Sequence, residues 1–551
     1  MKTMGTDPLP RMGLSKRQSI LVLAVIVMLG TWLRLPGNFY PETVHFDEGM
    51  LVANVLCRYP PGGAYYHPFL SRSVLTIAEA VPCVRAWLRG SPHPARETQA
   101  AFASDPVPFL LIGRSVSLVF GLATVVLTYW LASTMGGTAM GLVAALFVAI
   151  SPTDVSVSNN LGHWCLATLL TVAVFLCIHS VIDAVASRRQ LVTLGVFAGL
   201  AVAVVYTMGL LALPILLALA TRWRRRRLAG EPTRWFADIL AVAAGAVIGH
   251  VIGNFTALLQ PKLVLHEIFM PEASLLSDQS PKTNYIHNVG WYIGSIFGHL
   301  GLGWAVAACG TAGLLLAARR ADPIWLAVLA FTLAILVLQP AAVVLFANRY
   351  TTPVTPLIAV SAAWLLVNVS QRFAGSDRLA IFQPRLLLPV LAVLAALPGL
   401  RTDLAYRQAL ALTPTRELAR QWIEANIARG SGIMQSIYYM NPVVLDCTIL
   451  NNVPDKDLRR PCYDVSYSSV DPERYETEFL ADVANSGASY LIYTATTPPG
   501  TLQRLGLSLH IGAALRARYP LLARFGYTGL DDFDDDTVTV NPAVEVYRLK
   551  N

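Results

Sequence analysis

Apolar positions in this chain fall in long unbroken runs, not in the alternation that marks half-buried strands or the single stripe of a soluble helix. Runs of spanning or near-spanning length lie at roughly 19–36, 108–132, 138–151, 164–185, 191–206, 208–221, 236–258, 289–316, 324–346, 354–370 and 386–400. They predict a polytopic α-helical membrane protein with about eleven transmembrane helices. The runs at 138–151 and 208–221 fall short of the roughly 18 residues of a full span, so each is expected as a broken or re-entrant helix.

Past residue 401 the long runs stop, and turn signals such as Asn441-Pro442 and Pro498-Pro499-Gly500 appear. The change divides a transmembrane domain over 1–401 from a soluble α/β domain over 402–551. In the latter, Leu418, Trp422, Ile423 and Ile427 share one face of a predicted helix, with Thr413 or Thr415 available as its cap. Residues 489–493 and 543–547 are predicted strands.

Composition agrees with the pattern. Of 551 residues, 54% are hydrophobic and 14% charged, too apolar for an ordinary soluble enzyme. The net charge of +8 does not form one basic face, which argues against a nucleic-acid partner. Instead Lys16, Arg17, Arg188, Arg189, Arg222, Arg224 to Arg227, Arg319, Arg320, Arg372, Arg378 and Arg385 fall on alternate loops. The positive-inside rule then makes the N-terminus cytoplasmic, in what is expected to be a bacterial plasma membrane. The first run lacks a small-residue cleavage site and reads as a retained helix. Residues 37–107, 259–288 and 402–551 are then extracytoplasmic, where the pairs Cys57 with Cys83 and Cys447 with Cys462 are each either a disulfide or two free thiols.

The candidate chemistry lies on that outer side. Asp47 and Glu48 sit just where the first span ends, either as solvated loop charges and a helix cap or as a general base at the membrane surface. Arg58, His67, Arg72, Arg114, Lys262 and Arg349 supply cations at outer span ends, suited to a lipid phosphate or to snorkelling toward headgroups. Arg349 stands out because Asn348-Arg349-Tyr350-Thr351-Thr352-Pro353 ends one span immediately before another. Residues 71–89 have helical apolar spacing and predict an interfacial amphipathic helix that Pro82 kinks or divides.

In their order and placement, these motifs resemble those of the C-type glycosyltransferases, in the branch of protein O-mannosyltransferases and lipid A aminoarabinose transferases. The resemblance runs over nearly the whole chain. It rests on Asp47-Glu48 after the first span, Tyr66-His67-Pro68, Ser151-Pro152 with Val155, Trp291-Tyr292, Asn348-Arg349-Tyr350 with Pro353 and Pro356, and Thr415-Arg416-Glu417-Leu418-Ala419 with Trp422-Ile423. It implies transfer of a sugar from a polyprenyl-phosphate donor to an envelope lipid, glycan or protein hydroxyl, with inversion. Asp47 is then the base, and Glu48 assists it or helps hold a divalent metal. Arg349 and Tyr350 hold the donor phosphate, with Arg58, Arg114 and Lys262 as further cations, while His67 and Asp154 lie toward the acceptor. The chain departs from these relatives at His163-Trp164, where an acidic residue often follows the Ser-Pro turn; Asp154 is the nearest substitute, and a turn residue would explain it equally well. The competing readings are a transporter or flippase, and a non-catalytic family member acting in envelope assembly.

Overall fold

The computed structural model describes residues 15–38, 69–104, 107–182, 186–254, 285–298, 301–342, 348–374, 384–436, 443, 463–468, 470, 476–494, 511–527, 534–535, 538–539, 541 and 543–550. Two compact units emerge, one of residues 1–34, 64–74 and 117–404, the other of 35–63, 75–116 and 405–551.

Helices come first in the chain: α1 (Lys16–Asn38), α2 (Phe69–Leu88), α3 (Pro94–Ser104), α4 (Val107–Gly136), α5 (Thr138–Ala149), α6 (Pro152–Asn159), α7 (Trp164–Val181), α8 (Arg188–Val202), α9 (Ala212–Leu228) and α10 (Trp235–Gly253). They continue with α11 (Tyr285–Phe297), α12 (Trp304–Ala318), α13 (Pro323–Leu333), α14 (Thr355–Ala374) and α15 (Pro384–Leu410). Among the described residues, 7 helices are long and apolar enough to cross a membrane, and α5 and α6, bent by 56° at their junction, together form a broken span or a re-entrant loop. This is an integral membrane protein.

The bend falls at the expected place, the 138–151 run. Ser151 caps α6 by accepting from the Asp154 amide, and Pro152 takes the first helical position, where its missing N–H costs nothing. The other short run, 208–221, differs from expectation: it lies within a helical stretch of 23 residues, Tyr206–Leu228. The helix gains its length by continuing into Arg222 and Arg224 to Arg227, where Arg222 pairs with Asp238 at 3.3 Å and donates to the Ala186 carbonyl at 2.8 Å. The run at 289–316 is also not one helix. It divides into α11 and α12 around Gly298, Gly301 and Gly303, the last with φ of 78°, a left-handed conformation that favours glycine.

Small residues bring helices of the first unit together. A Cβ on Gly195 of α8 would lie 2.1 Å from the Val242 carbonyl of α10, and one on Gly245 would lie 2.2 Å from the Val192 carbonyl. Bare backbones in contact are how helices associate where lipid removes the hydrophobic drive.

Helix α2 runs through Pro82 as a single helix, not two, and leaves Val81, Val84, Trp87 and Leu88 exposed. Cys83 on it is a free thiol. Cys57, Cys447 and Cys462 lie outside the described residues.

In the second unit, α16 (Thr415–Asn426), β1 (Gly432–Gln435), β2 (Asp464–Tyr467), α17 (Glu476–Asn485), β3 (Tyr490–Thr494), α18 (Ile511–Arg518), β4 (Leu521–Phe525) and β5 (Val544–Arg548) form a mixed sheet of order β2-β1-β3-β5-β4. The two strands read from the sequence, β3 and β5, pair antiparallel with Leu491 opposite Tyr547. Ala419, Ile423 and Ile427 of α16 pack on one sheet face with Ile433, Ile492 and Val546, while Phe479, Leu480 and Val483 of α17 cover the other. Neither Thr413 nor Thr415 caps α16. Pro414 occupies the cap position without a side-chain acceptor, and Asn541 Oδ1 accepts from the Thr415 amide at 3.2 Å in its place.

Candidate active site

The first unit buries a small set of charges. Arg34, one residue before the end of the α1 span, is fully buried. Its Nη1 donates to the Ala149 carbonyl at 2.8 Å and the Gly30 carbonyl at 3.0 Å, its Nη2 to the Val148 carbonyl at 3.3 Å, and its Nε to Ser158 Oγ at 3.2 Å. The guanidinium thus caps the carbonyl end of α5, where the orphan acceptors and negative helix end both favour a cation. Arg34 also feels the charges of Asp154 on α6 and Asp403 on α15. Both carboxylates are buried, and neither oxygen of Asp403 has a hydrogen-bond partner among the described residues. A guanidinium among carboxylates is the condition under which such charges are retained inside a protein.

Asp154 is therefore more than a turn residue. Its Oδ2 accepts from Thr355 Oγ1 at 2.8 Å, and Thr355 also donates to the Thr352 carbonyl at 2.8 Å. Thr352 in turn donates to the Arg349 carbonyl at 2.7 Å. This chain of hydroxyls ties α6 to the 3₁₀ segment Asn348–Val354, on which the sequence places the phosphate-binding candidates.

On that segment Tyr350 is buried, with its ring 5.0 Å from Trp164 in an edge contact. The Arg349 guanidinium carbon lies 5.5 Å from the Tyr350 ring centroid, within cation–π range. Trp164 also contacts His163 at 5.1 Å. An indole thus packs against the Tyr350 ring. The Trp164 Nε1 and both amide atoms of Asn159 are buried without a partner.

The structure thus brings Asp154, Arg349 and Tyr350 into one connected region. Arg114 is fully buried on α4 and belongs to the second unit. Asp47, Glu48, Arg58, His67 and Lys262 lie outside the described residues. Among those described, no cluster of three or more His, Cys, Asp or Glu is placed to hold a metal ion, the several hard oxygens that a divalent cation takes. Sequence reading missed Arg34 and Asp403. Their signal was an ionisable residue at the end of the first apolar run and another at the end of the last, each of which at a membrane needs a partner.

This helical bundle, followed in the chain by a small mixed sheet, has counterparts among solved structures. Comparison with solved structures shows the same architecture: ArnT from Cupriavidus metallidurans in the apo state matches with a TM-score of 0.52 at 12% identity, over 96% of this chain and 97% of that one. The same enzyme bound to undecaprenyl phosphate matches with a TM-score of 0.51 at 12% identity, over 97% and 98%. The oligosaccharyltransferase of Archaeoglobus fulgidus in the apo form matches at 0.50 and 12% identity, over 94% of this chain and 75% of that one. In sequence, residues 111–251 match the dolichyl-phosphate-mannose-protein mannosyltransferase family. No curated protein matches the chain in sequence.

Proposed function

We propose that this protein is a membrane glycosyltransferase that moves a sugar from a polyprenyl-phosphate donor to an envelope lipid, glycan or protein hydroxyl, with inversion. The observation that carries the reading is the Trp164–Tyr350–Arg349 arrangement, a cation held by an aromatic stack in a fold shared with an enzyme crystallised on undecaprenyl phosphate. Arg349 neutralises the donor phosphate, and Tyr350 donates its hydroxyl to it; each is a stronger interaction in the partly dry mouth of a helical bundle than in water. The hydroxyl chain through Thr352 and Thr355 fixes this segment against Asp154.

Asp47 takes the proton from the acceptor hydroxyl as its oxygen attacks the anomeric carbon, while the bond from that carbon to the phosphate oxygen breaks. The polyprenyl phosphate leaves with the electron pair, its charge met by Arg349 with Arg58, Arg114 or Lys262. Glu48 assists Asp47, or shares a divalent metal with it. His67 and Asp154 serve the acceptor side, Asp154 by holding the wall of the site in place. This chemistry requires residues 37–107 and 402–551 to be extracytoplasmic, with a cytoplasmic N-terminus and domains meeting near residue 401.

The test is transfer of labelled sugar from polyprenyl-phosphate donors in membranes containing the protein. Wild type transfers label and Asp47→Asn does not. Full transfer by Asp47→Asn removes Asp47 as the base, and no transfer from any donor favours a role in assembly.

A further inference from the structure

Helix α11 carries Tyr285, Asn288, Tyr292 and Ser295 at spacings of three and four, one face of a helix. None of the four is charged. The Tyr285 hydroxyl donates to the Val337 carbonyl at 2.6 Å, and Asn288 Nδ2 donates to the Pro340 carbonyl at 3.4 Å. At the other end Ser295 Oγ lies 3.4 Å from Thr351 Oγ1, on the segment that carries Arg349 and Tyr350. The ridge therefore packs along a backbone that turns from a π segment, Ala334–Leu338, through Gln339 and Pro340. A π turn within a helix frees carbonyls for other partners and recurs at functional sites.

Two amides here are unsatisfied. Gln339, between the residues whose carbonyls α11 engages, is 1% exposed, and both its amide oxygen and nitrogen lack a partner among the described residues. Asn288 is 5% exposed and its Oδ1 lacks one. A buried polar group without a partner costs stability, so an apolar residue would serve stability better at Gln339. An amide offers donors and an acceptor together, the complement of a sugar's hydroxyl groups and not of a phosphate, which only accepts at neutral pH.

We infer that Gln339 and Asn288, with the α11 ridge, form the subsite for the hydroxyl groups of the donor's sugar, and that this sugar is neutral. The inference rests on the donor-lipid reading above and gives it a substrate class. In such a donor the sugar is joined to the phosphate through one oxygen, so its subsite has to adjoin the phosphate site. The Ser295–Thr351 contact joins the same ridge to the segment bearing Arg349 and Tyr350, about two turns of α11 from Asn288.

The experiment measures the affinity of the full-length protein in lipid nanodiscs for undecaprenyl phosphate, for undecaprenyl phosphate bearing mannose, glucose or arabinose, and for one bearing a cationic amino sugar. Wild type should bind one of the neutral sugar-headed lipids more tightly than undecaprenyl phosphate. Gln339→Leu should unfold at or above the wild-type temperature, bind undecaprenyl phosphate within about twofold of wild type, and lose about tenfold for the sugar-headed lipid, the worth of one hydrogen bond of about 1.4 kcal/mol. Gln339→Met, unbranched at Cγ, is the second variant if Leu disturbs folding. Undiminished sugar-dependent affinity in these variants overturns the subsite. So does a wild type that prefers the amino sugar, or one that binds sugar-headed lipids no tighter than undecaprenyl phosphate, which leaves the donor-lipid reading standing. A wild type that does not bind undecaprenyl phosphate at all rejects the donor-lipid reading itself, and the subsite with it.

Discussion

Asp154 and Thr355 are joined by a 2.8 Å hydrogen bond between buried side chains 201 residues apart in sequence. That bond links the bent α5–α6 pair to the segment bearing Arg349 and Tyr350. Thr355→Val leaves the Asp154 oxygen without this donor at nearly unchanged side-chain volume. It is expected to cost about 1–3 kcal/mol of stability, whereas Thr355→Ser keeps the hydroxyl and is expected to stay near wild type. Thermal unfolding in detergent separates the two variants.

Arg34 has a larger role, since among the described residues its positive charge acts on both Asp154 and Asp403. Arg34→Met fills similar volume but strands two buried carboxylates. Removing one member of a buried charge set costs about 3–5 kcal/mol, so this variant should give little folded protein by size-exclusion chromatography. Arg34→Met with Asp403→Leu removes a stranded charge and should recover part of the yield.

The crossing of α8 and α10 depends on bare backbone. Gly195→Leu has to push the helices apart against the Val242 carbonyl, an overpacking that costs about 1–3 kcal/mol or more. A lowered unfolding temperature in detergent checks it, with Gly209→Leu, which meets nothing within 4 Å at its Cβ position, as the control.

In the terminal domain, burial and a hydrogen bond to the Glu545 carboxylate push the Tyr547 hydroxyl above the usual tyrosine range. The neutral phenol is thus favoured in the folded state. Its contribution to stability is complete below the unfolded-chain value of about 10 and is lost progressively as pH rises above it. The wild-type protein should lose stability above about pH 10, and Tyr547→Phe should show a smaller loss over that window in pH-resolved denaturation.

Asn541 holds the junction between α15 and α16, accepting from the Thr415 amide and donating to the Ala409 carbonyl at 2.9 Å. Loss of such a cap costs about 0.5–2 kcal/mol. Because Asn541 has φ of 55°, Asn541→Ala adds backbone strain that Asn541→Gly avoids, and the Ala variant should melt lower.

What was legible in the sequence was what is local. The short run at 138–151 announced a broken or re-entrant helix, and the bend is there; Tyr490 to Tyr493 and Val544 to Tyr547 showed strand character and pair with each other. Arg349 and Tyr350 drew notice because a polar pair between two apolar runs is unusual, and they lie beside Trp164. What was hidden depends on partners distant in the chain. Thr413 and Thr415 looked like caps, yet the cap is Asn541; Asp154 looked like a turn residue, yet it answers to Thr355 and Arg34. No local pattern encodes such pairings. The division of 289–316 into two helices was hidden for another reason: three glycines in an apolar run keep its hydropathy high while removing its helical preference.

The most direct measurement of the central claim is the affinity of purified, nanodisc-embedded protein for undecaprenyl phosphate, compared between wild type and Arg349→Gln. Loss of one partner of a desolvated charge pair is worth about 2–5 kcal/mol, so the variant should bind about thirtyfold more weakly or worse while folding normally. Equal affinity in wild type and Arg349→Gln would contradict the assignment of this segment to the donor phosphate.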